Sequence, residues 1–136
     1  MHDLHLNHWA ILVSALIQWL LGAVWYSPVL FAKPWMEMAG VRPNANKSNK
    51  MMVGMVASFV GSLVTSFMLA HVVMWAGAET YYLGALIGFI LWLGFFAAPM
   101  SASYIYEGRS FDLFAINAGY WLVGLSITGG LLAVWR

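Results

Sequence analysis

Polar residues along this chain are gathered into a few short stretches, and the runs between them are almost wholly apolar. A helix needs about 20 mostly apolar residues to cross roughly 30 Å of hydrocarbon. Four runs meet that length, over residues 7–30, 51–76, 81–106 and 113–135, and none of them contains Asp, Glu, Lys or Arg. The breaks are compact. Residues 32–50 carry Lys33, Pro34, Arg42, Pro43, Asn44, Lys47 and Lys50. Gly77-Ala78-Glu79-Thr80 separates the second and third runs, and Glu107-Gly108-Arg109-Ser110 the third and fourth. Each run is about twice the length of a barrel strand and lacks strict alternation. The pattern predicts an all-α fold: an integral membrane four-helix bundle, one transmembrane domain over residues 1–136.

Two prolines refine the helices. Pro28 is expected to end or bend the first span, and Pro99 to distort the third about two turns from its end. After Pro28, the residues Phe31, Trp35, Met38 and Ala39 recur at near-helical spacing. Pro34 stands at a plausible first helical position and Gly40 at a stop. This predicts a short amphipathic helix lying on the membrane surface between helices 1 and 2.

Composition supports the membrane reading. Hydrophobic residues make up 62% of the chain and charged residues 8%, against roughly 25% charged in soluble domains. The lipid bilayer is therefore the first partner. A net charge of +1 gives no basis for nucleic-acid binding. The chain has no cysteine, which removes disulfides, thiolate metal sites and cysteine nucleophiles. Met1-His2-Asp3-Leu4-His5 lacks the basic opening of a secretory signal, so the first span is expected to be retained.

Basic residues in short loops set orientation. Lys33, Arg42, Lys47, Lys50 and Arg109 fall on one side and Arg136 alone on the other. The first and third loops are predicted to be cytoplasmic, and both termini external. Trp9, Trp75, Tyr81, Tyr82 and Trp135 are expected in the outer aromatic belt. Trp25, Tyr26, Trp35, Tyr104 and Tyr106 are expected in the inner one.

Lipid gives no hydrophobic drive for helix association, so close approach depends on small residues. The first span has Ala10, Ser14, Gln18 and Gly22 at four-residue steps, and the second has Gly54, Ser58, Ser62, Ser66 and Ala70. Gly84 and Gly88 mark the third. Ala115 with Gly119, and Ser126 with Gly130, mark the fourth. These read as packing faces. The spare faces of so small a bundle suggest a homo-oligomer or a subunit of a membrane complex.

Two motifs carry a family resemblance. Leu21-Gly22-Ala23-Val24-Trp25-Tyr26-Ser27-Pro28, followed by Phe31 and Lys33-Pro34-Trp35, is one. Tyr106-Glu107-Gly108-Arg109, followed by Leu113 to Tyr120, is the other. In order and spacing they resemble a bacterial family of small membrane proteins known as domain of unknown function 1761. The resemblance covers nearly the whole chain. It implies a four-span protein of the bacterial inner membrane, and no assigned activity, cofactor or catalytic residue.

The matched polar positions are Tyr26, Ser27, Lys33, Glu107, Arg109, Asn117 and Tyr120. All are predicted near one end of the bundle, as a site or as a clasp. Glu107 and Arg109 read as a gate for an ion or substrate, or as an ordinary interfacial group. In the second case Glu107 pairs with Arg109 or Lys33, and Asp112 caps the fourth helix. Asn117 is expected to bond across helices, to Tyr26, Ser27 or a carbonyl freed by Pro99. Gln18, with Ser62, Thr65 and Ser66, forms a candidate midplane element, either selective or adhesive. His71 is an intramembrane ionisable group and a candidate for metal, haem or proton transfer. His2, His5 and His8 are weak metal candidates, since steps of three drift around a helix. No nucleophile elbow, zinc-protease motif or phosphate loop occurs. The functional expectation is a non-enzymatic oligomeric or accessory membrane protein. The alternatives are a small-solute or ion transporter or channel, and a metal- or haem-associated protein.

Overall fold

The computed structural model describes residues 6–26, 34, 36–37 and 47–135, with no side-chain description for 47–51. His2, His5, Ser27, Lys33 and Arg136 lie outside the described residues. So does the expected surface helix over 31–40, apart from Pro34, Met36 and Glu37, which are helical.

The described residues form helices and short loops. Helix α1 spans His8–Trp25, α2 Lys47–Trp75, α3 Tyr81–Trp92, α4 Ala98–Tyr106 and α5 Phe111–Val134. A π-helical turn, Leu93–Ala97, joins α3 to α4. Among the described residues, four stretches are long and apolar enough to cross a membrane: α1, Met52–Trp75 of α2, Tyr81–Tyr106 and α5.

Backbone groups must be satisfied locally in hydrocarbon, and the ends show how this is done. The Asn7 Oδ1 accepts from the backbone N–H groups of Trp9 and Ala10 at 3.0 and 3.1 Å. The two short loops use one device. Gly77 and Gly108 take positive φ, 73° and 69°, at the position after a helix where a side chain would be strained. The Ala78 N–H then reaches Val73 O, and the Arg109 N–H reaches Tyr104 O. Thr80 caps α3 and Ser110 caps α5, accepting from Leu83 N and Leu113 N. Ser110, and not Asp112 as expected, is therefore the cap. Asp112 sits in the first turn, where its charge favours the helix dipole.

Pro99 produces the expected distortion as a π turn. A proline has no N–H and its ring crowds the carbonyl four residues back. One wider turn before it absorbs the mismatch, with the Ala98 N–H bonding to Leu93 O five residues back.

Helix α5 is the hub. In its spanning window 44% of residues are buried, against 17% for α2 and for the third span. Two glycine contacts seat α3 on α5. A Cβ at Gly84 would collide with the Gly129 carbonyl, and one at Gly88 with the Leu125 carbonyl. On the other side, the Gln18 side chain of α1 lies against Gly124, and Trp25 against Gly119. The α3 ladder therefore packs as expected. On α5, Gly119 and Gly130 are contact points, but Ala115 is exposed and Ser126 only half-buried. Gly124 and Gly129 take their roles, because they face α1 and α3 at the crossings.

Helix α2 is held along half its length. Leu69, Ala70 and Val73 pack with Ala10 and Ile11 of α1 and with Leu132 and Ala133 of α5. Ser62 and Ser66 are buried, whereas Gly54 and Ser58 are exposed. The expected five-residue ladder is a packing face only over Ser62, Ser66 and Ala70. The Trp19 and Phe59 rings meet edge-on at 5.3 Å between the helices, and beyond this wedge α2 leans away.

Candidate functional site

The described motif residues meet at the end of the bundle that carries Arg109 and the N-terminus of α2, here the basic end. Tyr26, just past α1, donates its hydroxyl hydrogen to Asn117 Oδ1 at 2.7 Å. The Asn117 Nδ2 donates to the Tyr104 hydroxyl of α4 at 2.6 Å. One amide thus ties α1 and α4 to α5. Tyr120 donates to the backbone oxygen of Gln18 at 2.7 Å and meets Tyr26 edge-on at 5.7 Å. The indoles of Trp25 and Trp92 donate to the Ile116 and Ala118 carbonyls of α5 at 2.9 and 2.8 Å. These oxygens have a second lone pair to offer, so no helix bond is sacrificed.

Outside this knot, Arg109 contacts Glu107 at 3.2 Å, both about half-exposed. The Arg109 guanidinium lies 5.1 Å from the Tyr104 ring centroid, and Ser103 donates to Glu107 at 2.9 Å. The expected Glu107–Arg109 pair forms, one layer away from Asn117.

Tyr104 is the partner that sequence reasoning missed. It was expected as an aromatic anchor at the interface, yet it is buried. Distance from the turn does not single it out: Tyr104 lies four residues before Gly108 and Asn117 nine after.

A second polar group lies deeper. Gln18 is 1% exposed and Ser14 0%. Among the described residues, neither amide atom of Gln18 and not the Ser14 hydroxyl has a hydrogen-bond partner. The contacts of Gln18 with Gly124 and of Trp19 with Phe59 fix the register. They place Gln18 level with Ser62 and Gly124, and Ser14 level with Ser66 and Thr128. Thr128 is buried and donates back to Gly124 O at 2.8 Å. Its place four residues after Gly124, on the stripe of Asn117 and Tyr120, would have marked it in the sequence.

His71 stands apart. Its Nδ1 is 2.8 Å from Phe67 O and, facing a carbonyl, must carry the hydrogen. The ring is flanked by Phe67 and Trp75 at 4.6 and 5.5 Å. His8 opens α1, exposed. Among the described residues no three His, Asp or Glu side chains gather closely enough to hold a metal ion.

Two lateral cavities flank α2. One of about 410 Å³ lies toward the basic end between α1 and α2, backed by Tyr120. The other, about 520 Å³, lies between α2 and the third span, lined among others by Thr65, Phe96 and Trp121. Neither is lined by Gln18 or Glu107.

Comparison with known proteins gives one finding. The sequence model of the family described as protein of unknown function (DUF1761) matches residues 9–133. The chain belongs to that family. No curated protein and no solved structure matches it.

Proposed function

We propose that this DUF1761 member is a non-enzymatic protein of the bacterial inner membrane that acts through contacts of its outer helix faces, as a homo-oligomer or as a subunit of a membrane complex. One observation carries the reading: the described motif residues at Tyr26, Asn117 and Tyr120 spend their polar groups on neighbouring helices of the bundle. Asn117 uses both ends of its amide on Tyr26 and Tyr104, and the Tyr120 hydroxyl is donated to the Gln18 backbone. They act as a clasp that ties three helices at the basic end, which orients to the cytoplasm by its lysines and arginines.

An outer face suited to contact lies on the third span. Gly94, Ala98 and Ala102 recur at four-residue steps and are exposed, with open space where a Gly94 side chain would be. Phe95 and Ile105 flank them at 78% and 79% exposure. Small residues on a helix surface let a second backbone approach. The chain has no cysteine, so single Gly94→Cys and Ala98→Cys variants report on this face without background. Oxidation in native membranes should give a covalent dimer or a defined adduct. Only monomer on oxidation, together with one-step photobleaching of the labelled chain in bilayers, would sink the proposal.

The second reading, a small-solute or ion pathway, is favoured by one observation, the unpartnered Gln18 and Ser14 at mid-depth. An oligomer or a second conformation would have to bring water or solute to them.

A further inference from the structure

The third span is held in two different ways along its length. Its first half, α3, meets α5 backbone to backbone: a Cβ at Gly84 or Gly88 would collide with the Gly129 or Leu125 carbonyl. The Trp92 indole donates to Ala118 O at 2.8 Å, and the Phe96 and Trp121 rings lie 6.1 Å apart, so this seat extends into the π turn. Past the turn it ends. In α4 only Tyr104 is buried, and Ala98, Pro99, Ala102, Ile105 and Tyr106 are exposed. We propose that α4 is a hinged strap, latched to α5 by the Tyr104–Asn117 hydrogen bond, that swings away from α5 about the Leu93–Ala97 turn when the latch opens.

Both ends of the strap are built to bend. Pro99 brings no N–H to the turn before it, and the Ala98 N–H reaches back five residues to Leu93 O. Kinks in helices gather at such π turns and prolines. Gly94, inside the turn, has open space where a side chain would be, so nothing wedges the bend. At the other end residues 107–110 are all exposed, and Gly108 turns at a φ of 69°. Four extended residues reach roughly 13–14 Å, whereas packed helix axes stand roughly 8–10 Å apart, which leaves the far end of α4 about 4 Å of slack.

The latch is one side chain. The Tyr104 hydroxyl accepts from Asn117 Nδ2 at 2.6 Å, the ring meets Phe114 edge-on at 5.3 Å, and Arg109 lies 5.1 Å over it. The partners of Glu107 are Ser103 and Arg109. These groups belong to the strap and its turn and travel with them. A hydrogen bond between helices in a membrane contributes little net stability, because the open state finds other partners. Opening turns the Asn117 amide hydrogens toward the gap. It also moves Ala98 and Ala102 relative to Gly94, so the latch sets the shape of the outer face. That consequence rests on the reading of this face as a contact surface, and the hinge does not.

The test measures distances between spin labels on two introduced cysteines, by double electron–electron resonance, in the full chain diluted with unlabelled copies in lipid nanodiscs. The chain has no other cysteine. Leu20→Cys on α1 is combined with Ile105→Cys on α4 or, as a control, with Ile90→Cys on α3, all three being exposed positions. Tyr104→Phe keeps the ring and removes the latch hydroxyl. In the Ile105 pair it should raise a second distance, displaced by up to roughly 4 Å. The population at that distance should grow about three- to ten-fold, the worth of one such bond. The Ile90 pair should not change. Asn117→Ala breaks the same bond from α5 and should act alike. Gly94→Ala, added to Tyr104→Phe, stiffens the turn and should draw the population back. An unchanged Ile105 distribution in either latch variant would overturn the proposal. Broadening of the Ile90 pair in both variants would mean that the whole span loosens, and would overturn it too. Where one variant alone broadens the Ile90 pair, the other decides. A Gly94→Ala substitution without effect would deny the pivot at the turn and with it the hinge.

Discussion

Replacing Gln18 by Met should stabilise the protein, although it removes a polar residue from the centre of the bundle. The Gln18 side chain is 1% exposed and both of its amide atoms lack partners among the described residues. Burying an amide without hydrogen bonds costs about 1–3 kcal/mol by mutational measures. Methionine has the same unbranched reach and no such demand, so the swap keeps volume against Gly124 and adds little strain. The backbone oxygen that receives the Tyr120 hydroxyl is unaffected. The net gain is about 1–3 kcal/mol, which shifts the unfolding equilibrium by roughly 5- to 150-fold. Equilibrium unfolding in mixed micelles, followed by the fluorescence of the eight tryptophans, measures it. A loss of about 1 kcal/mol or more would refute the reasoning. It would mean that the amide has a partner in the membrane, whether water, a solute or a neighbouring chain, and the pathway reading would gain what the clasp reading lost. Stabilisation with loss of a cellular phenotype would instead mark Gln18 as a residue kept for function at a cost in stability.

The clasp gives the opposite sign. Asn117→Ala removes the hydrogen bonds to the Tyr26 and Tyr104 hydroxyls and should cost about 1–3 kcal/mol. In a double-mutant cycle with Tyr26→Phe the losses should not add, and full additivity would deny the bond. Gly88→Ala presses a methyl onto the Leu125 carbonyl and should cost about 1–3 kcal/mol. Gly61→Ala meets nothing within 4 Å and should be neutral or gain up to about 1 kcal/mol. Equal effects in the same micelle assay would contradict the α3–α5 crossing. Glu107→Gln breaks a half-exposed pair and should change stability by less than about 0.5 kcal/mol. A much larger loss would place Glu107 in a tighter network than the Arg109 and Ser103 contacts provide. A reporter fused after Arg136 should read as external, and a cytoplasmic signal there reverses the orientation.

The candidate site was partly legible before the fold. The motifs place Tyr26, Asn117, Glu107 and Arg109 at one end of the bundle, and an Asn inside a span calls for a bond across helices. Two facts about that end were not legible. Tyr104 turns inward to complete the Asn117 pair, and the Glu107–Arg109 pair stands outside the knot. An aromatic near a membrane end suits the interface and the bundle interior equally, and residue type does not decide between them.

The sequence by itself determined the solvent, the four spans and the loop chemistry. In hydrocarbon each helix must satisfy its own backbone, so a span is written in one dimension as an apolar run between polar breaks. The glycines at 77 and 108 and the caps at Thr80 and Ser110 are local for the same reason. Tertiary structure decided which helix stands at the centre and which face meets which. Lipid is as apolar as a bundle interior, so hydrophobicity does not distinguish the buried side of a helix from the bare one. Small residues say where a backbone can approach and not which backbone will. Hence Gly84 and Gly88 find α5, while among the described residues Gly54 and Ser58 meet no neighbouring helix and the Gln18 amide has no partner. Each outcome follows from the set of crossings that the four helices reach together.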